Sequence, residues 1–301
     1  MSIIKLIKWA STKRNYFLTN VIYLYRKEIK ETVAKFLECD AHVIPDTRFA
    51  KTLRKRLRIV KRRAVIIWIT LALNGIIYIL ISFVTPGREF SYVIYGKKIK
   101  FKINVFGYIE SQMLSLSNEL DNLWTDSQNF YDDIKNNVRG KVHAVDIQEK
   151  VMNEFIRVRL RDIIKFHVAN ISLMHELELE FRPTLAVEYA IVSLSIITEL
   201  LAGLDKSYLQ LPYSLIQVFM DCLSGQRLIE ASNEFENALY NCKWENFNVQ
   251  NQKTVLIMLT MSQKTLTLSA GGITNLDFQF LMVVLKSTYS ALFINQNNKH
   301  K

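Results

Sequence analysis

Two histidines, His167 and His175, stand eight residues apart in a charged, helix-forming stretch, a spacing of about two turns that could tempt a metal reading. No carboxylate or third histidine repeats at a matching interval, so no metal is expected. The three cysteines, Cys39, Cys222 and Cys242, form no CxxC pair, which removes both a disulfide framework and a zinc site. Glu188 and Glu199 are the carboxylates in an otherwise apolar block, Thr184 to Gly203. Buried acids of this kind are costly in a bilayer and face protein or water, and they are the only feature that would support a polytopic membrane enzyme. No nucleophile is spaced for activation by a base, and no acids are paired at catalytic spacing. The chemistry on offer is that of a non-enzyme without cofactor.

What must position these residues is a chain of 301 residues, half of them hydrophobic, with a net charge of +11. The mean hydropathy is +0.07 and the pI about 9.4. Apolar residues gather in blocks, and basic residues gather beside one such block. That placement reads as membrane orientation, not as nucleic-acid binding. KTLRKRLRIVKRR (Lys51 to Arg63) runs directly into the 21 uncharged residues Ala64 to Val84. As a helix these would span about 32 Å, the thickness of a hydrocarbon core. The basic side is then cytoplasmic and Thr85-Pro86-Gly87 lies outside. The N-terminus has neither a long apolar core nor a small-residue cleavage site, so no signal peptide is expected.

In order, residues 1–63 are expected to be a basic cytoplasmic segment, partly an amphipathic helix at the membrane surface or against protein. Between Arg88 and Leu123, lysines 97, 98, 100 and 102 interrupt the apolar pattern, and the uncharged run Ile103 to Ile109 is too short to cross. Whether residues 97–123 cross is left open. Residues 124–180 read as charged helix, with Ile147, Val151, Phe155 and Val158 as its apolar stripe. Arg182-Pro183 should mark the cytoplasmic entry to Thr184–Gly203. Pro212 should open a helix that crosses and continues past Gly225 into a polar, cytoplasmic extension. Val255 to Leu259 belongs to a further cytoplasmic helix, Gly271-Gly272 breaks the chain, and Asn275 or Asp277 caps the last span, Phe278 to Ile294. Phe280, Val283, Ser287, Ala291 and Ile294 share one face of it. Periodicity favours packing over pore lining for that face.

The C-terminal third resembles the insect odorant receptor family. CLSGQRLIEASNEFENALYNCKW (Cys222 to Trp244) is similar to that family's sixth helix and its cytoplasmic extension, with Gly225, Ser232, Tyr240 and Trp244 as landmarks. NQKTVLIMLTMSQKTLTLSAGG resembles the short cytoplasmic helix before the break, and LDFQFLMVVLKSTYS resembles the last helix, ending in Tyr289 and Ser290. A weaker match covers the fifth helix and its lead-in, including His167.

The resemblance implies an all-α, polytopic transmembrane bundle, seven helices in the family and four to five evident here. It implies a ligand-gated cation channel in the plasma membrane that detects volatile small molecules and assembles with an odorant co-receptor as a heterotetramer. The N-terminus would be cytoplasmic and the C-terminus extracellular. Membrane lipid is an expected partner and nucleic acid is not. Ile294 falls at the family's apolar gate and Asn297 at the polar position after it, with Ala291 on the same face; an apolar constriction gates by dewetting. Tyr240, Trp244, Gln263, Lys264, Tyr289 and Ser290 match the cytoplasmic anchor and closing motifs. Tyr78, Ile81 and Tyr213 border a ligand pocket by position alone. On this reading the chain is one membrane domain: 1–63 the N-terminal segment, 64–123 a third helix and shortened fourth, 124–225 a lead-in with the fifth and sixth spans, and 226–301 the anchor and pore helices. Met261 and Thr265 replace the family's usual arginine and proline, which loosens the anchor motif. The first two helices and the middle of the fourth are expected to be absent. An incomplete or non-functional receptor remnant and a gustatory-receptor-type channel are the alternative readings.

Overall fold

The structure, a computed structural model, describes residues 47–84, 96–137, 145–202 and 210–299, with Ala34 before them. The chain divides into two compact units, Met1–Pro45 and Asp46–Lys301. Among its described residues the second unit holds six α-helices: α1 (Arg48–Val84), α2 (Gly96–Asn137), α3 (Val145–Ala202), α4 (Gln210–Asn241), α5 (Val249–Ser262) and α6 (Phe278–Lys299). A 3₁₀ turn, Trp244–Asn246, joins α4 to α5. A two-stranded antiparallel hairpin, β1 (Ser269–Ala270) and β2 (Thr274–Asn275), joins α5 to α6.

The stretch that reads poorly as sequence is the centre of the fold. α2 packs against α1, α3 and α4 and buries Phe106, Ile109, Met113, Leu116, Leu120 and Leu123 at three- and four-residue intervals. Polar residues share its inner faces because they are satisfied locally. Ser111, Ser115 and Ser117 each donate to the carbonyl four residues back, at 2.7–3.0 Å, so they are buried without an orphaned hydroxyl.

Arginine–carboxylate pairs tie the neighbours to α2. Arg48 reaches Glu119 through Nε at 2.9 Å and Asp126 through Nη1 at 2.9 Å. Arg159 of α3 pairs with the same buried Glu119. Immediately before the apolar run of α1, Arg63 donates through Nη2 to both carboxylate oxygens of Glu110, at 2.8 and 3.0 Å. Glu119 and Glu110 are thus buried with their counter-charges, the condition under which a buried carboxylate is tolerated.

One expectation is corrected in α3. Its core face is Met152, Ile156, Leu160 and Ile163, whereas Ile147 and Val158 are exposed and Val151 and Phe155 half-buried. Apolar residues occur on both faces here, and packing against α2 selected the neighbouring row. α3 runs without a break through Arg182-Pro183, for 58 residues. Proline removes one helical N–H and crowds the preceding turn, and here the Arg182 carbonyl accepts an outside donor, the Gly271 N–H at 3.2 Å.

Ala64–Val84 is helical throughout as the end of α1. Among the described residues no helix is long and apolar enough to cross a membrane. Side chains at 68, 71–72, 74–84, 198–199, 201–210 and 294–299, all within or beside the predicted spans, lie outside the described residues.

Candidate functional site at the root of the last helix

The base of α6 is held by α3 and α4 through a short, over-determined junction. Gly271 and Gly272 adopt φ of 66° and 75°, the left-handed region open to glycine, and reverse the chain so that Ser269 pairs with Asn275 and Ala270 with Thr274. The hairpin docks on α3. Ser269 Oγ donates to Glu178 Oε1 at 2.7 Å, and Arg182 Nη2 donates to the same oxygen at 2.7 Å. Burial acts to raise the Glu178 pKa, but these two donors outweigh it and hold the carboxyl below its ordinary range.

On the other side the hairpin meets α4 at Gly225. A β-carbon there would lie 1.9 Å from the Leu276 carbonyl oxygen, so only glycine allows this approach. Asp277 then caps α6: its carboxylate accepts the Phe280 N–H at 2.8 Å. Of the two predicted caps, Asp277 is the one used, while Asn275 is in the hairpin. The Phe278 N–H points to Gln226 Oε1 of α4 at 3.4 Å. Beyond this root, Leu281 and Thr288 are buried. Phe280 and Val284 lie against Val218, Cys222 and Leu281, and Ala291 against Ile196, Leu200 and Leu211.

A second junction fixes α5. Trp244 Nε1 donates to the Tyr240 carbonyl at 3.2 Å, closing the turn after Lys243, which has φ 60°. Asn248 caps α5 by accepting the Asn251 N–H at 2.9 Å. Asn153 of α3 accepts the Asn248 N–H at 2.8 Å through its side chain, and its own carbonyl accepts Asn251 Nδ2 at 2.9 Å. α5 buries Asn251, Val255, Met258 and Ser262 and leaves Val249, Leu256, Ile257 and Met261 exposed.

The structure joins Tyr240 to Trp244 and leaves the other sequence-predicted anchor residues apart from them. Gln263 ends α5, its N–H donating to the Leu259 carbonyl at 3.2 Å; its side chain and that of Lys264 are exposed. Tyr289 is 70% exposed and Ser290 is exposed, on the outside of α6. Of the α6 face for which periodicity favoured packing, Phe280 and Ala291 are half-buried against α3 and α4, whereas Val283 and Ser287 point outward. Ile294 and Asn297 belong to α6, with side chains outside the described residues. The side chains of Tyr78, Ile81 and Tyr213 lie outside them too.

His167 and His175 do not converge. Eight residues leave them about 80° apart around a helix. His167 is buried, its ring stacked on Phe235 at 4.2 Å, while His175 is exposed. Cys242 is buried, its Sγ donating to the Leu239 carbonyl at 3.1 Å, and burial pushes its thiol up to about 12, so it offers no nucleophile. Cys39 lies outside the described residues.

Sequence reasoning missed Asn153, Asn248, Glu178 and Ser269. Asn248 three residues before Asn251 is a legible cap signal. The partnerships of Asn153 and Glu178 span more than ninety residues, which no local pattern shows.

With this geometry in place, comparison identifies the class. The family model described as 7tm Odorant receptor matches residues 101–289, from the first turns of α2 to the middle of α6. The chain belongs to this insect odorant receptor family of membrane-embedded, multi-pass receptors, and it is not an enzyme. It is 24% identical to odorant receptor 82a of Drosophila melanogaster over 44% of this chain and 38% of that protein. It is 33% identical to the odorant receptor coreceptor of Aedes aegypti over 25% of this chain and 16% of that one. The matches thus span well under half the length of these relatives. Among solved structures, the olfactory receptor OR5 of Machilis hrabei in complex with eugenol overlaps 90% of this chain and 70% of its own, at TM-score 0.44 and 12% identity, too loose a likeness to carry an argument.

Proposed function

We propose that this chain is the odorant-tuning subunit of a ligand-gated, non-selective cation channel, assembled with an odorant co-receptor as a heterotetramer in the plasma membrane. The observation that carries this reading is the bare outer face of α5. Val249, Leu256, Ile257 and Met261 are exposed on a helix whose other face is fully engaged, inside the region matched by the odorant receptor family. An exposed apolar row on a helix at the cytoplasmic end of a bundle needs a protein partner. Similarity to an odorant receptor coreceptor makes a subunit of that kind the fitting one.

In this reading the N-terminus is cytoplasmic and the C-terminus extracellular. α6 lines the pore, with Ile294 as apolar gate, Asn297 as the polar group beyond it and Ala291 one turn before. Val283 and Ser287, outward in the isolated chain, are available to a central axis. Tyr240, Trp244, Gln263, Lys264, Tyr289 and Ser290 belong to the intersubunit anchor. A volatile ligand sits near Tyr78, Ile81 and Tyr213, and its binding is relayed to α6 through the Glu178–Ser269 and Gly225–Leu276 junction.

Co-expression with an odorant co-receptor and recording of odorant-evoked cation current tests this. The expected result is a current that disappears when either chain is omitted. Silence across a broad odorant panel, with both chains at the cell surface, rejects the conducting role. Current from this chain alone points instead to a gustatory-receptor-type channel.

A further inference from the structure

The outward face of α1 changes character along a single row. Lys51, Lys55, Arg58 and Arg62 are exposed on it, and the row continues at the same helical spacing as Ile66, Ile69 and Leu73, also exposed. Arg54 and Lys61 widen the cationic part, and Val65 widens the apolar part. The inward arginines behave differently: Arg48 and Arg63 are committed to Glu119, Asp126 and Glu110 of α2. None of the six outward cations makes an ion pair among the described residues. An uncompensated cationic row that becomes apolar within one turn is the profile of a helix leaving a headgroup layer for hydrocarbon.

Beside the transition lies a cavity of about 280 Å³ between α1 and α2. Leu57, Val60, Ala64 and Val65 make its apolar wall, and Lys61, Asn104 and Tyr108 bring polar groups to it. The cavity combines a cation on its polar side with an aliphatic wall one turn on, which suits a phosphate and the first methylenes of an acyl chain. The cationic row descends from Arg62 to Lys51, eleven residues or about 16 Å. A headgroup with one charge would meet only its upper turn. One that carries several phosphates into the water would engage its full length.

We propose that the α1–α2 groove and the cationic row below it form a binding site for an anionic phospholipid of the cytoplasmic leaflet, selective for a multiply phosphorylated inositol headgroup. Arg58, Lys61 and Arg62 hold the phosphodiester that joins the glycerol to the inositol ring. Lys51, Arg54 and Lys55 hold the phosphates that project. The acyl chain lies on Val65, Ile66 and Ile69. This rests on the reading of Ala64–Val84 as a span with its basic end in the cytoplasm.

The test uses the whole chain, co-expressed with a co-receptor and purified in nanodiscs. A photoactivatable phosphatidylinositol bisphosphate should crosslink to peptides within 57–69 and 104–108, in excess over a photoactivatable phosphatidylcholine. In a binding measurement with short-chain phosphatidylinositol bisphosphate, the combined variant K51Q/K55Q/R58Q/R62Q should lose about a thousandfold in affinity. Crosslinks only outside those peptides, or equal labelling by phosphatidylcholine, overturn the proposal. So does equal affinity for free inositol trisphosphate, which would leave the groove without a role. If the variant fails to fold, crosslinking on the unaltered chain still decides. Labelling of a Lys51→Cys variant in intact and permeabilised cells separates the two readings: reaction in intact cells rejects the orientation, whereas reaction only after permeabilisation, without lipid crosslinks, rejects the lipid site alone.

Discussion

Several side chains here derive their importance from what they exclude. Gly225 has no room for a methyl group, because the nearest atom is a backbone carbonyl that cannot rotate away. Gly225→Ala should therefore displace the Leu276 segment and cost about 1–3 kcal/mol, as overpacking does. A lowered melting temperature with weakened odorant-evoked current is the expected outcome, and an unaltered melting curve would refute the close approach. His167 adds a pH response. Burial holds its imidazole at about 4 against an ordinary 6.5, and both ring nitrogens are buried without a hydrogen-bond partner. The unfolded chain then takes up a proton near pH 6.5 that the folded chain refuses until about 4. Stability should fall as pH drops through that window, by up to roughly 3 kcal/mol. The pH dependence of the melting temperature should flatten over the same range in His167→Phe, and a slope that persists there would assign the effect elsewhere. Glu178, held below its ordinary range, adds a further loss at lower pH, as its carboxylate is protonated and releases Arg182 and Ser269.

Among the elements, α5 is the one most dependent on a few polar contacts. It is 14 residues long, close to the length at which an isolated helix is marginal, and its first turn is held to α3 by Asn153, Asn248 and Asn251. Asn251→Ala leaves the buried Asn153 carbonyl without that donor, at a cost of about 1–3 kcal/mol. Hydrogen exchange should accelerate across 249–262 while α2 stays protected; unchanged exchange in α5 would show that its apolar contacts suffice. The sequence showed the start of α6, the glycine break and the α4 extension, and within α5 only its apolar middle, Val255 to Leu259, because each carries its own local punctuation. It did not show α2. Lysines at its start and serines through its middle interrupt the apolar pattern, yet the buried serines are satisfied by their own helix and the acids by arginines of α1 and α3.

At the scale of the whole molecule, the described chain has an inner side completed by its own helices and outer faces that are not. α5 and α6 together leave Leu256, Ile257, Met261, Met282, Val283 and Tyr289 uncovered. If subunits meet there, Ile257→Asp, on a side chain 66% exposed, should abolish co-purification with a co-receptor and leave the stability of the separate chain within about 0.5 kcal/mol of its original value. Retention of the co-receptor by that variant would remove α5 from the interface.

The sequence by itself determined the all-α class, the apolar run after Arg63, the family resemblance of the C-terminal third and the break before the last helix. These are local properties, written in composition, spacing and punctuation. Tertiary structure decided which of two apolar rows on α3 enters the core, that Pro183 lies within a continuous helix, and that Glu178, Ser269, Gly225 and Leu276 form one junction beneath α6. Those outcomes depend on residues brought together from distant parts of the chain, where burial and hydrogen bonding select among faces that periodicity alone leaves equivalent.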